Sequence, residues 1–153
     1  MSVVVRAPAV AAIPGPGDLI CPDAEFEVTA QRIEDYAVAI GDANPRFRRR
    51  GRDSSHMVAP RAMAAAYLQL PVRLLLTDAD AMRRAGIAVE RILFGEVEYQ
   101  YGALVRPGDW VRISGRLVDR RASGDKELFT FGMRAAREDG AEVACGTITL
   151  VRR

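Results

Sequence analysis

The sequence predicts an α+β domain built as a curved antiparallel sheet around one central helix. Three observations lead there. The second half of the chain alternates apolar and polar residues in four long runs divided by turn signals. The stretch from Arg61 to Leu70 is rich in alanine and apolar on all sides, as a helix buried on most of its faces must be. The chain has 153 residues, 49% of them apolar and 27% charged, which is enough for one core without staples. A helix of small residues must find cover, and a sheet bent around it is the simplest cover.

The elements follow in order. Glu25 to Val28 alternates charged and apolar residues, as a short half-buried strand does. Thr29 offers an N-cap oxygen, with Val28 and Ile33 placed as a hydrophobic staple. Ile33, Tyr36, Ala37 and Ile40 form one apolar face of a helix over 30–40, and Gly41 is a natural stop. A long loop starts at Gly41-Asp42-Ala43-Asn44-Pro45 and runs through five arginines between Arg46 and Arg52 to His56. Pro60 suits the first turn of the next helix, because its missing N–H would be unpaired there anyway. Pro71 ends or kinks that helix. Val72 to Leu76 reads equally as helix or strand, and Asp78 to Ala85 reads as a short exposed helix closed by Gly86.

Four strands complete the chain. Ile87–Tyr101 puts Val97, Tyr99 and Tyr101 on one face and Glu96, Glu98 and Gln100 on the other. Arg106–Asp109 is a turn. Trp110–Arg120 follows, with Val111, Ile113 and Leu117 inward, and then a hairpin loop over Ala122–Asp125. Lys126–Arg137 places Phe129, Phe131, Met133 and Ala135 on one face. Asp139-Gly140 is a strong hairpin signal, and Val143–Val151 is the last strand. The four strands read as a meander with two free edges, and a dimer that joins sheets edge to edge removes one of them. Strand, helix, loop, buried helix and four strands is the order of the hot-dog fold.

Composition narrows the function classes. No apolar run approaches the roughly 20 residues of a membrane span, so a polytopic membrane protein is excluded. A net charge of +2 is too small to indicate a nucleic-acid binder. Lys126 is the only lysine, so 21 of the 22 basic residues are arginine, a skew that fits the codon usage of a GC-rich genome. Cys21 and Cys145 form no CxxC and read as reduced thiols of a cytosolic protein, with a disulfide between them as the alternative. Residues 1–24 read as a flexible leader ahead of a single domain over 25–153. The leader is not a signal peptide, because Arg6 follows the apolar Val3-Val4-Val5 and prolines interrupt what comes next.

Three segments carry a specific resemblance. Tyr36-Ala37-Val38-Ala39-Ile40-Gly41-Asp42-Ala43-Asn44-Pro45 resembles the signature of the MaoC-like, (R)-specific enoyl hydratase and 3-hydroxyacyl dehydratase family, Tyr-Ala-x-x-x-Gly-Asp-x-Asn-Pro-x-His. Val58-Ala59-Pro60, Phe94-Gly95-Glu96, Tyr99, Tyr101 and Arg106-Pro107-Gly108-Asp109 are similar to the dehydratase-like N-terminal branch that includes the HadA and HadC subunits. The resemblance runs from about Phe26 to Val151. It implies a hot-dog domain acting on 3-hydroxyacyl or enoyl thioesters of coenzyme A or acyl carrier protein, while the sequence shows no metal-ligand cluster and no Gly-rich phosphate loop, so neither cofactor nor metal is expected. The resemblance implies further that Asp and His move protons at C2 and C3 of the acyl chain. The start of the central helix, here Pro60, Arg61 and Ala62, would bind the substrate, and its N–H groups would receive the thioester carbonyl, as helix N-termini can. Asn44, Phe47 and Gly95 join the substrate-binding candidates on the same footing.

The departures matter as much. Phe47 stands at the position of the catalytic histidine, Gly102 replaces the histidine after the aromatic residue, and Phe94 replaces another. Asp42 keeps its place without its partner. In heterodimeric members of the family one subunit carries Asp and His, and the other lacks them and shapes the acyl tunnel; this chain resembles the second kind. The expected partner is therefore a MaoC-like subunit carrying the Asp/His pair. Neither nucleic acid nor membrane is expected as a partner.

Each candidate also has a plainer role. Asp42 serves as an Asx-turn acceptor, and without a histidine beside it this role weighs more. His56, the only histidine, is either a solvated loop residue or a substitute base. The arginine run is either a solvated loop or a dock for an anionic partner. The reading is a non-catalytic subunit of a heterodimeric (3R)-hydroxyacyl-thioester dehydratase in fatty-acid or polyketide biosynthesis. The rivals are a self-sufficient homodimer using Asp42 and His56, and a non-catalytic acyl-binding scaffold.

Overall fold

The computed structural model describes residues 20–84 and 87–153. Most of the expected leader, and Gly86, lie outside the described residues. Ile20 forms a bridge with Arg116, and the Cys21 N–H donates to the Gly115 carbonyl at 2.9 Å. Both cysteines are free, and burial, with Asp23 nearby, pushes the Cys21 thiol up to about 12. No helix among the described residues is long and apolar enough to cross a membrane.

Strand β1 (Ala24–Glu27) leads into helix α1 (Ala30–Ala39). Thr29 caps the helix by accepting the Arg32 N–H at 3.1 Å, and the staple residues Val28 and Ile33 are both fully buried. After the long loop, a short turn over Arg61–Met63 opens helix α2 (Ala64–Leu68), and α3 (Leu70–Thr77) follows directly. Pro71 therefore starts a helix as well as breaking one. It sits in the first turn of α3, where no N–H is needed, and Val72–Leu76 is helical. Helix α4 (Ala79–Arg84) is opened by Asp78, whose Oδ1 accepts the N–H groups of Asp80 and Ala81.

The next strand, β2, covers Ile92–Tyr101 and not the expected Ile87–Tyr101. Ile87 instead folds back onto α4, its N–H on the Met82 carbonyl, and a tight turn over Val89–Arg91 precedes the strand. Strands β3 (Trp110–Ser123), β4 (Lys126–Arg137) and β5 (Glu142–Arg152) are long and antiparallel. Gly124 and Asp125 alone join β3 to β4, so that loop is tighter than the expected 122–125.

Strand order corrects the meander. The sheet runs β1-β3-β4-β5-β2, so β2 pairs with the last strand and not with β3. Segment 102–109 makes the crossing over one end of the sheet. Gly102 donates to Val143 O at 2.7 Å, Ala59 donates to Val105 O at 2.9 Å, and Gly108 donates to Val28 O at 2.8 Å. Alternation along a strand sets its two faces but not its neighbours, which is why pairing was not readable from it.

Helices α2 and α3 pack across β3, β4 and β5, and the concave face supplies Phe129, Phe131, Met133, Ala135, Ile148 and Leu150, all buried. This is the hot-dog arrangement, a sheet curled around a central helix. The helices cover β2 only in part, at the half-buried Tyr99. Phe94, Val97 and Tyr101 stand opposite the buried Leu150, Ile148 and Ala144, so they share the concave face. Yet they remain 58%, 41% and 41% exposed.

Candidate functional site

The loop that carries the signature is closed by its own polar groups. Gly41 ends α1 in the left-handed region at φ 70°, which frees the Asp42 N–H to reach back to the Ala37 carbonyl at 2.8 Å. The Asp42 carboxylate accepts the Asn44 N–H at 2.9 Å, and the Asp42 carbonyl accepts Arg48 Nη2 at 3.1 Å. Asn44 repeats the device, its Oδ1 accepting the Arg46 N–H at 3.0 Å and capping a tight turn over Pro45–Phe47. Two successive Asx turns thus shape the segment, the local chemistry these residue types favour.

Phe47 is half-buried and packs against the hydrophobic core. It pins the loop to the domain. His56 is half-buried as well. Its Nε2 lies 3.0 Å from the Arg48 carbonyl, so Nε2 carries the proton and donates. Its Nδ1 is buried without a hydrogen-bond partner among the described residues. The loop closes where the Val58 N–H meets the Arg46 carbonyl at 3.3 Å, bringing the Asp42–Asn44 end beside the start of the central helix.

That start has no side-chain cap. Pro60 is its N-cap, has no N–H and supplies no capping side chain. Arg61 and Ala62 follow and are both exposed. The Arg61 Nη1 reaches across to the Gly102 carbonyl at 2.9 Å, tying the helix start to the end of β2. The crevice between Pro60, Arg61, Tyr67, Tyr101 and Gly102 holds only about 10 Å³ of free volume. That is room for a water molecule at most and not for an acyl thioester.

All four tyrosines gather here, a convergence the sequence did not announce because they lie on three separate elements. Burial raises the phenols of Tyr36, Tyr67 and Tyr99, and the charge of Tyr101 adds to the rise of each. Gln69 Nε2 donates to the Tyr99 hydroxyl at 2.8 Å and partly offsets that rise. Tyr99 and Tyr101 have ring centroids 6.5 Å apart, and Tyr67 packs on Phe26 at 5.1 Å. The signal available in the sequence was Tyr36, at the head of the signature string.

The structure thus brings together Asp42, Asn44, Phe47 and His56 in one loop, with Pro60, Arg61 and Ala62 at its end. Gly95 stands apart. It forms a bulge in β2 between Phe94 and Glu96, six residues from Tyr101 and so roughly 20 Å along the strand. A Cβ there would lie 2.9 Å from Val151 Cγ2, so the glycine serves close strand approach. Among the described residues, no three His, Cys, Asp or Glu side chains gather as a metal site would need. What remains is a helix start suited to a carbonyl oxygen, a carboxylate occupied by an Asx turn, and a histidine bonded within its own loop.

Comparison with known proteins follows the same line. The family model for the FAS1-like dehydratase domain region matches residues 19–144. A UPF0336 protein of Thermobifida fusca is 26% identical over 137 residues, covering 84% of each chain. Among solved structures, the HadBC (3R-hydroxyacyl-ACP dehydratase) complex of Mycobacterium tuberculosis superposes with a TM-score of 0.66 at 18% identity, over 88% of this chain and 95% of that one. The MaoC-like dehydratase of Rhodospirillum rubrum gives 0.62 at 20% identity, over 89% and 91%. At these identities the structures speak for the fold.

Proposed function

The chain belongs to the family of the FAS1-like dehydratase domain region, and on that footing we propose that it is the non-catalytic, acyl-binding subunit of a heterodimeric (3R)-hydroxyacyl-thioester dehydratase. One observation supports the reading: Phe47, which the resemblance aligns with the family's catalytic histidine, packs against the core. A phenyl ring exchanges no proton, so the base that removes a C2 proton and the acid that assists loss of the C3 hydroxyl come from elsewhere. The Asp42 carboxylate is engaged by the Asn44 N–H, and His56 is bonded to Arg48, so neither stands as a free pair facing the helix start.

In this reading the second subunit joins at β2, where Phe94, Val97 and Tyr101 present an uncovered apolar strip and a free strand edge. Its arrival turns the small crevice at Pro60–Ala62 into a walled acyl site. The uncapped helix start contributes donors to the thioester oxygen as enolate charge develops. The matching HadBC structure is itself a complex, which supports a two-subunit arrangement here. Fatty-acid or polyketide biosynthesis is the setting that suits such a substrate, in the cytoplasm.

Turnover of a 3-hydroxyacyl thioester tests the proposal. The chain purified alone is expected to be inactive, and the complex with a co-expressed hot-dog subunit that carries the Asp/His pair is expected to dehydrate the substrate. Robust turnover by the chain alone would return Asp42 and His56 to a catalytic role and remove the helper-subunit reading.

A further inference from the structure

The arginine run holds five arginines, but the structure divides them. Arg49 is consumed by α1: its Nη2 and Nε lie 2.6 and 3.0 Å from the Glu34 carboxylate, and Nη2 also reaches Gln31. That pairing holds the Glu34 carboxyl below its ordinary value. Arg48 is consumed by the Asp42 carbonyl. Arg46, Arg50 and Arg52 are exposed, and none of their guanidinium groups makes a hydrogen bond or ion pair among the described residues. The Asp53 carboxylate feels the charge of Arg50, but its Oδ1 is taken by the Ser55 N–H at 2.8 Å and it forms no ion pair with Arg50 among the described residues.

The same corner exposes apolar surface. Val38 and Ile40, at the end of α1, are 62% and 50% exposed. They adjoin the loop through Asp42, which hydrogen-bonds Ala37 on one side and Arg48 on the other. An apolar centre with a cationic rim is the complement of an acidic, amphipathic protein helix. A nucleotide's phosphates would need a pocket with converging donors. Here the three cations stand on an open loop, beside side chains that gain only from apolar contact.

We propose that Arg46, Arg50 and Arg52, with Val38 and Ile40, form the docking surface for an acidic acyl carrier protein that delivers the thioester to the site. The proposal rests on the dehydratase reading and deepens it, naming the carrier as a protein and not coenzyme A. The surface lies on the loop that ends at Pro60, so a docked carrier would place its prosthetic arm beside the helix start.

Fluorescence anisotropy of labelled holo-acyl carrier protein, titrated with the full chain, provides the test. Binding is expected to weaken with added salt, and Arg46→Glu/Arg50→Glu/Arg52→Glu is expected to weaken it about tenfold or more. The neutral set Arg46→Gln/Arg50→Gln/Arg52→Gln should give a smaller loss in the same direction, and thermal unfolding of each variant checks its fold. Unchanged carrier binding in a folded triple variant overturns the proposal, as does an equal loss of coenzyme A binding. Turnover of a pantetheine thioester by the assembled dehydratase separates the two readings. If it proceeds while the wild-type chain ignores the carrier protein, the surface is wrong and the function stands. If the carrier binds and no thioester is dehydrated, the function is wrong and the surface stands.

Discussion

The two edges of the sheet end differently. β1 is a short edge whose inward residues, Ala24 and Phe26, are buried under the chain's own helices. β2 is a long edge whose concave face carries Phe94, Val97 and Tyr101 largely exposed, with only Tyr99 held to the helices through Gln69. The first edge is finished by its own chain; the second is finished only by something else. A free apolar edge is a hazard for an isolated protein and an asset for a subunit. The candidate site lies against the unfinished edge, since Arg61 ties the central helix start to Gly102 at the end of β2.

Substitutions can break this comparison. Phe131→Ala, under the helices, is expected to lower the stability of the chain by about 3–5 kcal/mol in denaturant unfolding. Phe47→His is expected to cost about 1–3 kcal/mol, because a half-buried core contact is replaced by a polar ring, and to leave the isolated chain inactive. Dehydration by that variant alone would mean that the site lacked one ring and not a subunit. Phe94→Ala is expected to change stability by no more than about 0.5 kcal/mol in the isolated chain while weakening capture of the second subunit. A Phe94→Ala effect as large as that of Phe131→Ala would show that β2 is already closed.

The tyrosines give the pH dependence, and its sign is fixed. Tyr36, Tyr67 and Tyr99 are raised above the ordinary phenol value by burial, with Tyr101 adding to each. Their folded-state values exceed the unfolded ones, so the stability they contribute is fully present below about pH 10 and is lost as pH rises through the raised values. Tyrosinate absorbance should therefore show these three ionising late, together with alkaline unfolding. Tyr67→Phe should move that unfolding to higher pH. Titration of all of them at the ordinary value with the fold intact would contradict the buried cluster.

Much of the fold was legible because the signals were local. The Thr29 cap, the Val28–Ile33 staple, the Gly41 stop and the Phe129–Ala135 face all depend on neighbours within a few residues. What was not legible was set at a distance. The pairing of β2 with β5 depends on the crossing at 102–109, and Pro71 reads as a stop until tertiary packing offers a second helix to start. The site divided in the same way. The Asx turns at Asp42 and Asn44 follow from residue type, whereas the packing of Phe47 on the core and the gathering of four tyrosines are set by tertiary contacts between distant parts of the chain.

The central claim is that this chain moves no proton itself. Asp42→Asn keeps an oxygen for the Asn44 N–H, so with His56→Ala it removes the chemistry while sparing the turn. In the assembled dehydratase the double variant is expected to keep turnover within about threefold of the unaltered complex, whereas loss of the partner's histidine stops it. A fall of about a hundredfold or more in the double variant, the scale of a lost general acid or base, would contradict the account.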